Sequence, residues 1–286
     1  NIIFNLLILL IGLILFLTNV KTMHINKKNF QLLFLIILLS LIFILVGKNH
    51  DDFFYYHFPY ILTLTEYAHP IGLGNLNLGF NTHSSIFLLS SLFHLPGAKY
   101  SLFHLAPAYI LIFSNYIILK LIFNNRIKKN YSFILYLSLS ALVFFNIFFY
   151  RLGEHGTDRS AMILIILLVT NLLYYINKKT EKIDDNYLKL FTIIFTIIIS
   201  LKAFYLIYAI LFIPLAIYVF NKSKSLKIFF NINLLLCLTL FAFVLLTNFF
   251  NTGCLLFPEK NTCFHDMSWA ASSNKVVSFL VGHIRD

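Results

Sequence analysis

Apolar residues run through this chain in long stretches separated by short polar connections. The stretches cover residues 2–20, 30–47, 101–123, 131–150, 160–177, 188–220 and 228–250, and another opens at Val276. About 20 apolar residues in a helix cross a hydrocarbon core of about 30 Å. Most of these stretches are therefore read as single crossings. The stretch 188–220 is too long for one at 33 residues. It is read as two helices with a break near Ser200-Leu201-Lys202-Ala203. Its first half, roughly 13 residues and roughly 20 Å, ends at membrane depth, where protein or a water-filled cavity must cover it. The apolar stretch 85–95 is too short to span and is placed in the interface or against the protein. The expected fold is all-α: a polytopic integral membrane protein with eight crossings and the start of a ninth helix. It forms a single transmembrane domain over 1–286, with long outer loops at 48–100 and 251–275. The first run lacks a basic flank and a small-residue cleavage site, so it reads as a membrane helix and not a signal peptide. The chain opens inside one apolar run and closes inside another, which reads as a piece of something longer.

Composition agrees. Of 286 residues, 59% are hydrophobic and 12% charged, against about 45–50% and about 25% in soluble domains. A soluble enzyme, a disordered chain and a disulfide-framed mini-protein are excluded. The net charge of +11 would suggest nucleic acid in a soluble protein. Here the basic residues sit in short connections, where they report topology. The loops at 21–28, 126–129, 178–189 and 222–227, with Lys120, hold 14 of the 22 Lys and Arg against three acids, Glu181, Asp184 and Asp185. By the positive-inside rule that face is cytoplasmic. The other face holds eight acids and every His except His24. It is rich in groups for acid–base chemistry, although longer loops also collect polar residues.

Three outer segments carry candidate chemistry. The first is Asn49-His50-Asp51-Asp52-Phe53-Phe54-Tyr55-Tyr56-His57-Phe58-Pro59-Tyr60. Two adjacent carboxylates at a membrane boundary need more explanation than an interfacial aromatic belt supplies. A carboxylate here can act as general base on a hydroxyl, and His57 lies near the azimuth of Asp52 if the stretch is helical. No cofactor is expected, apart from a divalent cation that Asp51, Asp52 and His57 could hold. The second is a Gly/Asn-rich loop from His69 to Ser85, in which Asn81 and His83 are candidates for substrate binding or for a folded, non-catalytic loop. The third is Arg151-Leu152-Gly153-Glu154-His155-Gly156-Thr157-Asp158-Arg159. Its arginines suit bidentate recognition of phosphate, or pair with Glu154 and Asp158 to close the loop. Lys202, at the break, could meet a lipid phosphate or simply snorkel. Cys254 and Cys263 share the last outer loop and could pair in an oxidising compartment, while Cys237 lies within a helix.

This organisation resembles the C-type (GT-C fold) membrane glycosyltransferases of bacterial type, which take sugars from polyprenyl-phosphate carriers. The resemblance covers roughly residues 30–269. It rests on an acidic residue at the start of a long first outer loop, on interfacial segments followed by antiparallel helices, and on Asn251-Thr252-Gly253-Cys254-Leu255-Leu256-Phe257-Pro258 with Trp269 beyond it. That phrase is similar to a Gly-x-x-x-aromatic-Pro outer loop in some members. One helix, 2–20, precedes the helix aligned with the family's first, and the periplasmic soluble domain of many members does not fall within these residues, as expected if the chain is cut short. The resemblance implies sugar transfer to an acceptor on the extracytoplasmic face of a bacterial inner membrane, with a lipid-linked donor and membrane lipids as partners and no nucleic acid. Asp51 or Asp52 would be the catalytic base. His57, Asn81, His83, Arg151, Glu154, His155, Asp158, Arg159 and Lys202 would bind substrate. Two rival readings are a transporter or flippase of a lipid-linked or anionic solute, and a non-catalytic membrane assembly subunit.

Overall fold

The structure, a computed structural model, describes residues 2–22, 27–45, 52–67, 70–98, 100, 102–126, 132–148, 157–178, 183–225, 227–230, 232–272 and 274–278. Among them helices are the main regular structure, and no strand forms. Ten α-helices follow in order: α1 (Ile2–Thr22), α2 (Lys27–Leu45), α3 (Phe58–Glu66), α4 (Ser85–Leu92), α5 (Leu105–Arg126), α6 (Ser132–Val143), α7 (Thr157–Asn177), α8 (Asp185–Leu201), α9 (Phe212–Ser223) and α10 (Ile232–Thr252). Four helical segments are long and apolar enough to cross a membrane: Leu105–Phe123, Thr157–Asn177, Ala203–Ser223 and Asn233–Thr252. α1 exposes Ile3, Phe4, Leu10 and Phe16, and α10 exposes Leu235, Leu238 and Phe243. Apolar surface on this scale suits hydrocarbon and not water. The protein is a helical membrane protein.

The chain divides into two compact units. The first comprises Asn1–Phe53 and Ile86–Thr180. In it α5 packs on α2, α6 and α7. α4 is short, and it buries Phe87 and Ser90 while Ser91 O accepts from Asn5 Nδ2 at 3.0 Å. α6 runs into a π-helical turn, Phe144–Phe148, that holds Asn146. The Asn146 and Asn115 side chains bond each other reciprocally, at 3.0 and 2.8 Å. Within the pair each amide donates once and accepts once, and Asn146 Nδ2 also donates to Leu142 O at 2.8 Å, so neither leaves its partner's group bare in an apolar setting. Removing one member therefore costs more than removing both. Asn115→Leu is expected to destabilise the protein by about 1–3 kcal/mol, and the double change to Leu by less than the sum of the two singles. A double-mutant cycle of thermal melts in detergent would show additive losses if the pair were not coupled.

The second unit comprises Phe54–Ser85 and Glu181–Asp286. The break expected in the apolar stretch 188–220 is present. α8 ends at Leu201, Lys202 is extended with φ −160° and ψ 122°, and a 3-10 run, Ala203–Leu211, leads into α9. The helix before the break is longer than the roughly 13 residues expected, at 17. The Asp184 carboxylate accepts from the backbone N–H of Asn186 and Tyr187, which starts the helix at Asp185. A second correction concerns the segment 151–159. Asp158 and Arg159 are not in a loop but in the first turn of α7, which begins at Thr157. An acid in that turn meets the positive end of the helix dipole. A third concerns Asn251 and Thr252, which form the last turn of α10 instead of opening the following loop.

Candidate functional site

The second unit builds a buried polar cluster from its two loop segments. A π-helical turn, Phe53–His57, leads into α3, whose first turn carries Pro59 and then Tyr60. The Gly/Asn-rich loop folds as two 3-10 turns, Leu73–Asn75 and Leu78–Asn81. The Asn77 side chain ties this loop inward, accepting from Gly79 N at 2.9 Å and donating to Tyr55 O at 3.0 Å. The Tyr60 ring stands edge-on to Phe80 with centroids 5.1 Å apart. Both 3-10 turns pack on α10, and Gly72 N donates to Phe250 O at 2.7 Å. Gly72 has φ +75°, which glycine adopts without strain.

At the centre Tyr60 is fully buried, and its hydroxyl joins two residues distant in the chain. Asn251 Nδ2 donates to Tyr60 Oη at 2.6 Å, and Tyr60 Oη lies 3.0 Å from His83 Nδ1. The hydrogen between Tyr60 Oη and His83 Nδ1 belongs to the phenol or to the ring according to the imidazole tautomer. Burial pushes the Tyr60 phenol above its ordinary pKa, and the bond from Asn251 opposes this only in part. Tyr60 therefore stays neutral. Tyr60→Phe removes the one group that Asn251 and His83 share. It is expected to lower stability by about 1–3 kcal/mol, with His83→Ala adding little on top. Additive losses in thermal melts would show that the three residues do not act as one network.

Beside this network two amide oxygens, Asn81 Oδ1 and Asn251 Oδ1, are buried and accept no hydrogen bond among the described residues. Gly74 lies against both residues. A Cβ there would sit 2.5 Å from Asn81 Oδ1 and 2.8 Å from Asn251 O. Lys275 closes the near side. Its Nζ donates to Gly74 O at 2.8 Å, while Asn75 Nδ2 donates to Trp269 O at 2.8 Å. Burial lowers the Lys275 pKa. The segment that carries Trp269 and Lys275 is clipped by a disulfide between Cys254 and Cys263, and Ala271 N donates to Thr252 O at 2.8 Å.

Of the residues expected to form a site, Asn81 and His83 enter this cluster, and both are buried. His57 is buried in the same unit, its ring edge-on to Tyr56 with centroids 4.2 Å apart. Lys202 also belongs to this unit. It lies two residues from Ser200, whose hydroxyl is 2.8 Å from Ser85 Oγ, and Ser85 is two residues beyond His83. Asp52, Asp158 and Arg159 belong to the first unit, where Asp52 is half-buried at the entrance to the π-helical turn. Asp51, Arg151, Glu154 and His155 lie outside the described residues. Among the described residues no group of three or more His, Cys, Asp or Glu is placed to hold a metal. Tyr60 and Asn251 fall within segments that the sequence picks out, but neither is given a role there, and Lys275 only bounds the last outer loop.

No curated protein and no solved structure matches the chain. A family model does match, over residues 1–282. The chain belongs to DUF8201, a domain of unknown function.

Proposed function

We propose that this protein is a membrane glycosyltransferase that moves a sugar from a polyprenyl-phosphate donor to an acceptor hydroxyl on the extracytoplasmic face. The observation that carries the reading is the buried cluster of His83, Tyr60, Asn81 and Asn251, assembled from two loops beside apolar helices. Neutral hydrogen-bonding groups held by a folded frame suit a hydroxyl-rich substrate. The Cys254–Cys263 bond supports an oxidising side for these loops. The eight helices α1, α2, α5 to α10 supply eight crossings in this reading, with the basic connections inside.

In the reaction Asp51 or Asp52 accepts the proton of the acceptor hydroxyl. The acceptor oxygen forms a bond to the sugar's anomeric carbon. The bond from that carbon to the phosphate oxygen breaks, and its electron pair leaves with the polyprenyl phosphate. Lys202 and Lys275 are cations of the unit that holds the cluster, and Arg151 and Arg159 are further candidates. Positive charge beside the departing phosphate stabilises the transition state. His57, His83, Asn81 and Asn251 hold sugar or acceptor.

The test supplies membranes containing the protein with radiolabelled polyprenyl-phosphate sugars and follows label leaving the lipid. Label released by wild type and retained by the Asp51→Asn/Asp52→Asn double variant is the expected result. A second reading, transport or flipping of a lipid-linked solute, is favoured by the helix break at Lys202, since interrupted helices recur at transporter sites. Movement of intact labelled lipid across the bilayer without loss of its sugar would replace transfer by transport.

A further inference from the structure

We infer that the Gly/Asn-rich loop is a bilayer-binding element, whose Ile71, Leu76 and Leu78 seat among the acyl chains of the leaflet at the Thr252 end of α10. The placement holds for a transferase, a transporter or an assembly subunit alike.

Residues 67–98 include no Asp, Glu, Lys or Arg, a run of 32. At the charge density of soluble domains, about a quarter, such a run would hold about eight. The described part of this loop is turned inside out relative to a loop in water. Ile71, Leu76 and Leu78 are 58%, 75% and 48% exposed. The polar groups point their hydrogens at the protein instead. Asn75, Asn77 and Asn81 donate their side-chain amides to Trp269 O, Tyr55 O and Leu78 O. The backbone is closed as well. Gly72 N donates to Phe250 O, Asn75 N to Gly72 O, Leu76 N to Leu73 O, Phe80 N to Asn77 O and Thr82 N to Gly79 O, while Gly79 N donates to Asn77 Oδ1. A segment that leaves water must satisfy its N–H groups within the protein, because hydrocarbon offers no acceptor.

The loop also continues a surface that faces hydrocarbon. On α10, Leu236, Leu240, Phe243, Leu246 and Phe250 are exposed and recur every three or four residues, which puts them on one face. That stripe ends at Phe250, whose carbonyl accepts from Gly72, so Ile71 stands one residue from the end of the stripe. The turn 264–267 abuts the same helix end. The Phe264 ring is edge-on to Phe249 with centroids 5.5 Å apart, and Phe264 and Met267 are exposed. His265 and Asp266, exposed between them, keep this turn at headgroup level. Helix face, loop and turn form one apolar surface, and the occupant that fits it is lipid.

The test uses the full-length protein in phosphatidylcholine nanodiscs and its single tryptophan. Leu76→Trp with Trp269→Phe moves the indole onto the loop. Lys260→Trp with Trp269→Phe moves it to an exposed position of the last outer loop. An indole about 5–10 Å into the headgroup and acyl boundary is expected to lose roughly half or more of its emission to lipid brominated near the top of the acyl chains, and to ignore aqueous iodide. The Lys260 variant should show the reverse. Ile71→Trp with Trp269→Phe repeats the measurement from a second position of the loop. In the unaltered protein, phosphatidylcholine with a diazirine at the same depth should label Ile71, Leu76 or Leu78 and spare Lys260. Where a variant loses ellipticity or its Cys254–Cys263 bond, the diazirine result decides alone. Quenching of Leu76→Trp by iodide puts the loop in water and overturns the inference. So does an indole that neither quencher reaches, which would mean that protein, such as a second copy of the chain, covers the loop. Diazirine label confined to the helices overturns it as well.

Discussion

With both Asp51 and Asp52 changed to Asn, release of sugar from a polyprenyl-phosphate donor is expected to fall by about a hundredfold or more. A positioned general base contributes roughly 10²–10⁴ in rate, and Asn cannot take a proton. The two single changes separate the roles. If one carboxylate is the base, its loss alone approaches the effect of the double change, and the other single change costs little. If the pair shares the work, each single variant keeps part of the rate. A double variant with unaltered turnover would remove the first outer loop from the chemistry, and with it the glycosyl-transfer mechanism.

The second large effect concerns the disulfide. Cys254 and Cys263 are nine residues apart. Closing a loop of this size is worth about 2–3 kcal/mol by the chain-entropy relation. Cys254→Ser with Cys263→Ser is expected to lower the melting temperature by roughly 5–10 °C. Reductant should do the same to wild type and nothing further to the variant. The loss reaches the site through the backbone. Phe264 N donates to Gly253 O and Leu255 N to Thr262 O, so the clip holds the start of the segment that later presents Trp269 and Lys275. Identical melts with and without reductant would show that the loop holds itself through hydrogen bonds alone.

Much of the helical framework is readable from the chain because hydrocarbon imposes a simple rule. Long apolar runs become helices, and a run of 33 residues interrupted by Lys202 must break. The stretch near 85–95 is legible as a short helix for the same reason, through its length. Helix ends are less legible. Thr157, Asp158 and Arg159 look like loop residues by polarity, yet they open a helix, and the Asp158 carboxylate in its first turn complements the unpaired N–H groups and the dipole. The site is legible only in part. Asn81 and His83 stand out as polar residues in a Gly-rich segment. Tyr60 does not, because a tyrosine beside a membrane reads as belt. Its role depends on Asn251, 191 residues away, and that of Lys275 depends on Gly74, 201 residues away. Neither pairing leaves a periodicity or a motif behind.

The bond from Gly72 N to Phe250 O carries a consequence for biosynthesis. A ribosome adds roughly 5–20 residues per second. The Gly/Asn-rich loop is therefore finished roughly 10–35 s before the helix end that receives it. Throughout that interval Tyr60 and His83 have no Asn251 to meet, and Gly74 O has no Lys275. The early loop must be kept from mispairing while the remaining helices enter the bilayer. A chain stalled before residue 250 should expose this loop to proteases, and the same loop should become resistant once synthesis passes Lys275.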